Sequence, residues 1–151
     1  HKLGLAPLSK IVLVKRLRFI DDEPWVIEME YFRHDVGQNL LDIDLTGSVY
    51  EILQNDFSYM IHNSKNSIEA ILADEEKAEL LSVDVGSPLL EVKRTVFLAD
   101  GTPFEYAIDI LRADRIKFSV DDYYQEEIAK FKIKTGERRS EPAPGFVGIE
   151  K

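Results

Sequence analysis

The stretch VKRLRFIDDEPWVIEMEYFR, residues 14–33, predicts the antiparallel hairpin on which the rest of the fold is built. Apolar and β-branched residues are dense from Ile11 to Ile20 and again from Trp25 to Phe32, and neither run has a helical period. The acidic residues 21–23 between the two runs are typical of a turn. We therefore predict two paired strands over 11–20 and 25–32.

Arg16 and Arg18 are two residues apart, so they project from the same face of the first strand. A two-residue loop would turn Glu28 to the opposite face, whereas a three-residue loop would bring Glu28 and Glu30 onto the face of the arginines. We favour the three-residue loop, because guanidinium groups on an apolar face need carboxylates or an anionic ligand nearby.

A second hairpin is predicted over 89–98 and 103–111, since Asp100-Gly101 between these runs is a strong turn signal. Its sequence resembles that of the first hairpin, and the aligned pairs are Pro24 and Pro103, Asp21 and Asp100, Glu30 and Asp109, Arg33 and Arg112, and Asp35 and Asp114. We interpret this as a weak internal repeat.

Short helices are predicted beside the strands. Ser48 and Glu51 form an S-x-x-E capping box that starts a helix over 48–54, and the acidic start of 74–82 indicates another helix. Residues 35–42 are predicted to form a helical turn, and 57–63 a further strand. The fold class is therefore α/β of the α+β kind, an antiparallel sheet with flanking short helices.

The composition excludes several classes of protein. A length of 151 residues with 44% hydrophobic residues suits one domain, and a net charge of −9 argues against a surface that binds nucleic acid. The chain has no cysteine, and its three histidines share no metal-ligand spacing, so no metal or cofactor is expected. No apolar run is long enough for a membrane span, and we expect a cytoplasmic protein without a membrane partner.

We divide the chain into three parts. Residues 1–9 are interpreted as a linker remnant, 10–120 as the folded domain, and 121–151 as a C-terminal extension that is partly mobile, because it is rich in Gly, Pro and charge.

The arginine pair has two interpretations. It could belong to a cross-strand ladder of salt bridges, or its planar guanidinium groups could grip a phosphate or carboxylate. Ser48 has the same ambiguity, because a helix start can bind an anion or simply be capped by its own serine. Glu105 could be a charge at the edge of a hairpin, and Arg94 is interpreted first as the partner of a structural ion pair.

The ordered set VKRLRFIDDEPWVIEMEYF, DLTGSVYEIL, SIEAILADEEKAELLSVDVGSPLLEVKR and DGTPFEYAIDILRADR resembles the UTRA domain, the effector-binding domain of bacterial GntR-type transcription regulators of the HutC branch. The resemblance runs from about Ile11 to Val120. It implies a fold like that of chorismate lyase, a homodimer and a small-molecule effector. It also implies DNA binding through a winged-helix domain that would precede this chain.

The resemblance implies a ligand site as well. In relatives that sense sugar phosphates, the R-x-R and S-x-Y residues and acidic residues of the hairpins hold the ligand. Matched position by position, the implied ligand-binding residues are Arg16, Arg18, Glu28, Ser48, Tyr50 and Glu105.

Three functions follow as alternatives. The first is an effector sensor that binds an anion, expected to be a sugar phosphate. The second is a lyase of the chorismate type in which the arginines hold a substrate carboxylate, although no nucleophile with an obvious base supports catalysis. The third is a dimerisation module without a ligand. The first is favoured, so no enzymatic activity and no catalytic residue is predicted.

Overall fold

A computed structural model describes residues 2–55, 59–119 and 148–150, the last three by their backbone alone. Within these residues, six strands form one antiparallel sheet in the order β3-β4-β5-β2-β1-β6. The strands are β1 (Ile11–Ile20), β2 (Glu23–Arg33), β3 (Ile61–Leu72), β4 (Pro88–Leu98), β5 (Pro103–Arg112) and β6 (Gly148–Glu150). The helices are α1 (His34–Gly37), which runs into a 3-10 turn (Gln38–Leu40), α2 (Val49–Asn55) and α3 (Glu75–Leu81). The predicted fold class is confirmed.

The loop of the first hairpin differs from the prediction. Ile20 pairs with Glu23, so the loop has two residues, and both of them have positive φ (50° and 62°), as the turn that suits a two-residue hairpin requires. The three-residue loop, which would have paired Phe19 with Glu23, was therefore wrong.

A β-bulge nevertheless brings the predicted side chains together. The register shifts by one between Arg18 and Phe19, so that Trp25 is the extra residue on β2. Beyond the bulge, Arg16 stands opposite Glu28 and Val14 opposite Glu30. A bulge of one residue exchanges the two faces of a strand, which reverses the effect of the shorter loop.

The two hairpins are arranged around a local two-fold axis. The sequence alignment of the hairpins places Met29 on Ile108, and these two residues are direct partners in the pairing of β2 with β5. Each hairpin also has a bulge one residue after its aligned proline, at Trp25 and at Phe104. Because Pro24 and Pro103 cannot donate to a ladder, the pairing is easily interrupted at these points. The register therefore agrees with the predicted internal repeat.

The sheet buries apolar residues on both faces. One face packs against α1, α2 and the loop between them, in a core of Val14, Phe32, Val36, Leu40, Leu45, Val49, Leu53, Val96 and Phe104. The other face packs against α3, in a core of Ile27, Ala73, Ala78, Leu81, Leu89 and Ile110. Arg16, Arg18, Glu28 and Glu30 share the first face, since they alternate with the residues of the second core.

Most of the other elements agree with the predictions. The helical turn after Arg33, the helix after Ser48 and the helix after Asp74 are present. Asp74 caps α3 by accepting a hydrogen bond from the Lys77 N–H at 2.9 Å. The strand predicted over 57–63 starts later, at Ile61, and continues to Leu72; residues 56–58 lie outside the described residues.

The predicted C-terminal extension lies almost wholly outside the described residues. The backbone of β6 pairs with Leu13–Lys15 at the open edge of β1. No helix in the described ranges is long and apolar enough to cross a membrane.

Candidate functional site

The guanidinium group of Arg16 connects β2 to the loop that precedes α2. The Arg16 side chain is 6% exposed. Its Nη1 donates to the carbonyl oxygens of Leu45 and Gly47, both at 3.0 Å. Its Nη2 donates to Glu30 Oε2 at 3.0 Å and lies 2.9 Å from Glu28 Oε2. A buried arginine is thus satisfied on both of its terminal nitrogens by groups of the protein itself.

Arg18 binds the same loop from a more accessible position. Its Nε donates to Glu28 Oε2 at 3.0 Å, and its Nη atoms donate to the carbonyl oxygens of Thr46 (3.2 Å) and Gly47 (3.3 Å). The side chain is 34% exposed, against 6% for Arg16. Of the two arginines on β1, Arg18 is therefore the one that a solute can reach with less rearrangement.

Glu30 has an unusual protonation equilibrium. Burial raises the pKa of Glu30 from 4.5 to about 8, although the positive charge of Arg16 opposes the shift; the nearby carboxylates of Glu105, Glu28 and Asp109 add to it. At neutral pH most of the Glu30 carboxyl groups therefore carry a proton, and the Arg16 charge is compensated mainly by Glu28.

A second cluster lies on the same face, across the local two-fold axis. The Arg94 guanidinium lies 3.7 Å from Glu105 Oε1, 3.5 Å from Asp109 Oδ2, and over the ring of Tyr50, 5.4 Å from its centroid. The Tyr50 hydroxyl donates to Glu105 Oε2. The repeat relates Glu30 to Asp109. It also relates the residue that stands opposite Arg16 on β2 to the residue that stands opposite Arg94 on β5. The two clusters are thus one arrangement used twice, with different acidic residues.

The second cluster also holds carboxyl groups with shifted equilibria. Burial raises the pKa of Asp109 to about 6 and raises that of Glu105, while the Arg94 charge opposes both shifts. Burial also raises the pKa of Tyr50 far above its usual value, so its hydroxyl keeps its proton and donates. The cluster can therefore donate from Tyr50 and accept at the two carboxyl groups.

Four polar atoms in these clusters have no hydrogen-bond partner within the described part of the chain. They are Arg16 Nε, Arg94 Nε, Glu105 Oε1 and Asp109 Oδ1. The two oxygens are the more notable, because a buried acceptor without a donor costs about 1–3 kcal/mol. A bound molecule with hydroxyl or ammonium groups would supply such donors.

We refer to the residues of both clusters as the arginine–carboxylate face. Its members are Arg16, Arg18, Glu28, Glu30, Tyr50, Arg94, Glu105 and Asp109. Three guanidinium groups and four carboxyl groups lie together, so both an anionic group and a donor-rich polar group could find partners here. Among the described residues, no group of three or more His, Cys, Asp or Glu side chains has the geometry to hold a metal ion.

Comparison with known proteins identifies the family. The family model for the UTRA domain matches residues 1–117. The chain belongs to the UTRA domain family.

Curated relatives of this UTRA domain are transcription regulators. The chain is 32% identical over 116 residues to the HTH-type transcriptional repressor NagR of Bacillus subtilis, which covers 77% of the chain and 48% of NagR. It is 25% identical over 120 residues to MngR of Escherichia coli, the repressor of a mannosyl-D-glycerate transport and metabolism system. This alignment covers 80% of the chain and 50% of MngR. The chain thus spans about half the length of the curated relatives it matches. These relatives are named as regulators and not as enzymes.

A solved structure agrees with the fold. The transcriptional regulator of the GntR family from Enterococcus faecalis superposes with a TM-score of 0.73 at 29% identity, over 80% of this chain and 87% of that structure. The antiparallel sheet with short helices is thus shared with a solved regulator of the GntR family.

The six predicted ligand-binding residues of the UTRA domain fall into three positions. Arg16, Arg18 and Glu28 form one ion-pair cluster, and Tyr50 with Glu105 belongs to the other. Ser48 starts α2, where its Oγ accepts a long hydrogen bond from the Glu51 N–H at 3.4 Å. Ser48 directly follows Gly47, whose carbonyl group is bound by both arginines, so the predicted residues lie along one face.

Three members of the face were not among the predicted site residues. Glu30 was expected on the same side as the arginines, and Arg94 was expected to form an ion pair, but neither was assigned to the ligand site. Asp109 was noted only as the equivalent of Glu30 in the repeat. That equivalence was the available signal, since a repeated hairpin places its acidic residues on the same face as the first.

Proposed function

We propose that this chain is the effector-sensing domain of a GntR-family transcription regulator of the HutC branch, and that it binds an anionic small molecule, a sugar phosphate in particular. In the full-length protein, a cytoplasmic bacterial regulator, the domain forms a homodimer and controls DNA binding by a winged-helix domain outside this chain. The ligand-binding residues are Arg16, Arg18, Glu28, Ser48, Tyr50 and Glu105.

The observation that carries the proposal is the position of Arg18. Its guanidinium is one-third exposed, and two of its three hydrogen bonds go to neutral carbonyl groups at 3.2 and 3.3 Å. Charge-assisted bonds to a phosphate are shorter and stronger than bonds to neutral carbonyl oxygens. A phosphate can therefore replace Thr46 and Gly47 as the acceptor without exposing a buried charge.

The polar remainder of a sugar phosphate fits the second cluster. The unpartnered oxygens of Glu105 and Asp109 can accept hydrogen bonds from sugar hydroxyl groups. MngR, one of the relatives, is named for a compound that joins a sugar to a glycerate, which carries a carboxylate. This supports an anionic sugar derivative as the effector class.

A second candidate function is supported by the pairing of Arg16. Its terminal nitrogens are fully used by Glu28, Glu30 and two carbonyl groups. If Arg18 behaves in the same way, the face is a ladder of salt bridges and the domain is a dimerisation module without a ligand.

A thermal-shift screen separates the two functions. The ligands are sugar 6-phosphates, the same sugars without phosphate, chorismate, urocanate and inorganic phosphate. A ligand that binds only the folded state at 100 times its Kd stabilises the fold by about 2.7 kcal/mol. A shift with a sugar phosphate, and a weaker one or none with the parent sugar, is the expected result.

The Arg18→Ala variant tests the site itself. We expect the affinity for the anion to fall at least about tenfold, or by about 1.4 kcal/mol, while the fold survives. Arg33→Ala is the matched control, because Arg33 is also partly exposed and paired with a nearby carboxylate, that of Asp35. Unchanged affinity in Arg18→Ala would overturn the site assignment, and no shift with any phosphate or carboxylate would favour the dimerisation module.

A further inference from the structure

Four carboxyl groups of the arginine–carboxylate face lie at neighbouring positions on the two central strands of the sheet. Asp109 stands directly opposite Glu28 in the pairing of β2 with β5. Glu30 is the diagonal neighbour of both Asp109 and Glu105. Directly opposite residues have Cβ atoms about 4.5–5.5 Å apart and diagonal neighbours lie about 7–8 Å apart, and like charges opposite each other destabilise a strand pair. The four carboxyl groups therefore need positive charge or protons to compensate them.

The arginines of β1 serve two of these carboxyl groups unequally. Glu28 Oε2 is bound by both arginines, at 2.9 Å from Arg16 Nη2 and 3.0 Å from Arg18 Nε. Glu30 Oε2 lies 3.0 Å from the same Nη2 atom of Arg16, and no other cation of the described chain lies within salt-bridge distance of it. The Nη1 atom of Arg16 is already used by carbonyl groups of the loop before α2. Glu30 thus shares its single arginine with Glu28.

Charged and titratable groups from five elements surround Glu30, whose side chain is 4% exposed. These groups are Arg16 on β1, Glu28 on β2, Glu105 and Asp109 on β5, Arg94 on β4 and Tyr50 on α2. Burial and the neighbouring carboxylates together raise the pKa of Glu30 to about 8, although the charge of Arg16 opposes the shift. Glu30 therefore changes its protonation state close to neutral pH.

An anion on Arg18 would change the balance of charge around Glu30. A phosphate group at pH 7 carries close to two negative charges, so it competes with Glu28 for the guanidinium of Arg18. Glu28 then depends on Arg16, which would face two carboxylates with one positive charge if Glu30 were ionised. When two carboxylates share one site, the pKa of one of them is strongly raised. The anion therefore binds well only when Glu30 carries a proton.

We propose that Glu30 couples effector binding to proton uptake: the domain binds its anionic effector with Glu30 protonated, and it takes up a proton there whenever Glu30 is ionised in the free domain. The domain then responds to pH as well as to the effector. This inference rests on the proposed function, because it requires an anion at Arg18. It gives a role to a residue outside the six proposed ligand-binding residues.

Proton linkage determines the direction and the size of the effect. The pKa of Glu30 is about 8 in the free domain and is higher when an anion is bound, so the affinity falls as the pH rises through 8. Below pH 7 the group is already protonated, and the affinity no longer changes through Glu30. If the ionised form binds negligibly, the dissociation constant rises about tenfold between pH 7 and pH 9. The uptake is about half a proton per anion at pH 8 and approaches one proton at pH 9.

The interval from pH 7 to pH 9 separates Glu30 from most other groups. The pKa of Asp109 is raised by burial to about 6, which lies below this interval. A phosphate ester loses its second proton at a pH of about 6, so its charge is nearly constant across the interval. Burial raises the pKa of Tyr50 far above its usual value, so this hydroxyl stays protonated. Burial also raises the pKa of Glu105, and substitution of Glu30 distinguishes the two glutamates.

The test measures anion affinity as a function of pH. The dissociation constants of inorganic phosphate, sulfate and the sugar 6-phosphates of the thermal-shift screen are determined by calorimetry at pH 7, 8 and 9 and constant ionic strength. Sulfate is the control for the ligand, since it has the shape of phosphate and keeps two charges throughout. We expect the dissociation constants to rise about tenfold in the wild type.

Two variants assign the pH dependence to one residue. In Glu30→Gln the dissociation constants should no longer change between pH 7 and pH 9, because the amide does not titrate. Glu51→Gln, at an exposed position on α2, is the matched control and should retain the tenfold rise. A rise that persists in Glu30→Gln would mean that another group takes up the proton, and would overturn the role of Glu30.

A second measurement uses the wild type alone, so it does not depend on the folding of a variant. Calorimetry in buffers of different ionisation enthalpy counts the protons taken up per bound anion. About half a proton at pH 8 is expected, and no uptake at pH 8 or pH 9 would overturn the inference. Binding that does not change with pH would remove the coupling and leave the anion site intact. No binding of any of these anions at any pH would overturn both.

Discussion

The protonation of Glu30 predicts that the stability of the fold falls as the pH rises, and Glu30→Gln isolates this contribution. The pKa of Glu30 is about 8 in the folded protein, whereas the ordinary value for a glutamate side chain, which applies to the unfolded chain, is 4.5. Because the folded-state value is the higher one, the stabilising contribution is fully present below pH 4.5 and is lost as the pH rises through about 8. When the folded state binds one more proton than the unfolded state, the free energy of unfolding falls by about 1.4 kcal/mol for each unit that the pH rises. Between pH 4.5 and about 8, the contribution of Glu30 therefore amounts to roughly 5 kcal/mol.

The glutamine side chain resembles a protonated carboxyl group in shape, but it does not ionise between pH 4.5 and 8. We expect the variant and the wild type to have similar free energies of unfolding at pH 4.5. Above that pH the variant should become relatively more stable by about 1.4 kcal/mol per pH unit, until the difference levels off near pH 8. Glu105 and Asp109 titrate in both proteins, so only the part of their effect that depends on the charge of Glu30 remains in the difference.

Urea denaturation at a series of pH values measures the effect. The chain has one tryptophan, Trp25, and it lies at the bulge of β2, so its fluorescence reports on the hairpin that carries Glu30. Glu51→Gln, at an exposed position on α2, is the control for the amide substitution. A difference between Glu30→Gln and wild type that does not change with pH would refute the reasoning. It would mean that the charge of Arg16 outweighs the effect of burial and keeps Glu30 ionised.

Two further substitutions test the packing around the site. Tyr50→Phe removes the hydroxyl that donates to the fully buried Glu105. We expect it to lower the free energy of unfolding by about 1–3 kcal/mol, measured by urea denaturation at neutral pH. A loss near zero would mean that another donor satisfies this carboxyl group. Gly37→Ala would place a Cβ 2.5 Å from Val12 Cβ, so a loss of about 1–3 kcal/mol is expected in thermal unfolding. Gly47→Ala, with nothing within 4 Å of its added Cβ, is the control, and an equal loss in both variants would contradict the steric explanation.

The pairing of the arginines has a consequence for how an effector could act. Arg16 and Arg18 both bind the carbonyl group of Gly47, one residue before the start of α2. An anion that takes over Arg18 would release two bonds that now hold this loop to β1. A ligand shifts a conformational equilibrium only by its difference in affinity for two states, and the loop before α2 is where such a difference would arise.

The sequence by itself determined the elements and their chemistry. The apolar runs on either side of residues 21–23 and of Asp100-Gly101 predicted both hairpins, and the S-x-x-E pattern at Ser48 predicted α2, because these signals depend on residues close in the chain. The two-residue spacing of Arg16 and Arg18 placed them on one face for the same reason.

Only the tertiary structure decided how the side chains pair. The two-residue loop and the compensating bulge at Trp25 are separate events that cancel, and the residues near the turn do not reveal both. Whether Arg16 stays free for a ligand depends on the carbonyl groups of Leu45 and Gly47, about thirty residues away. Likewise, β3 becomes an open edge only through its place in the strand order. Local patterns fix periodicity and turns, but register, burial and edges depend on contacts between distant parts of the chain, and these decide which charges are paired and which remain available.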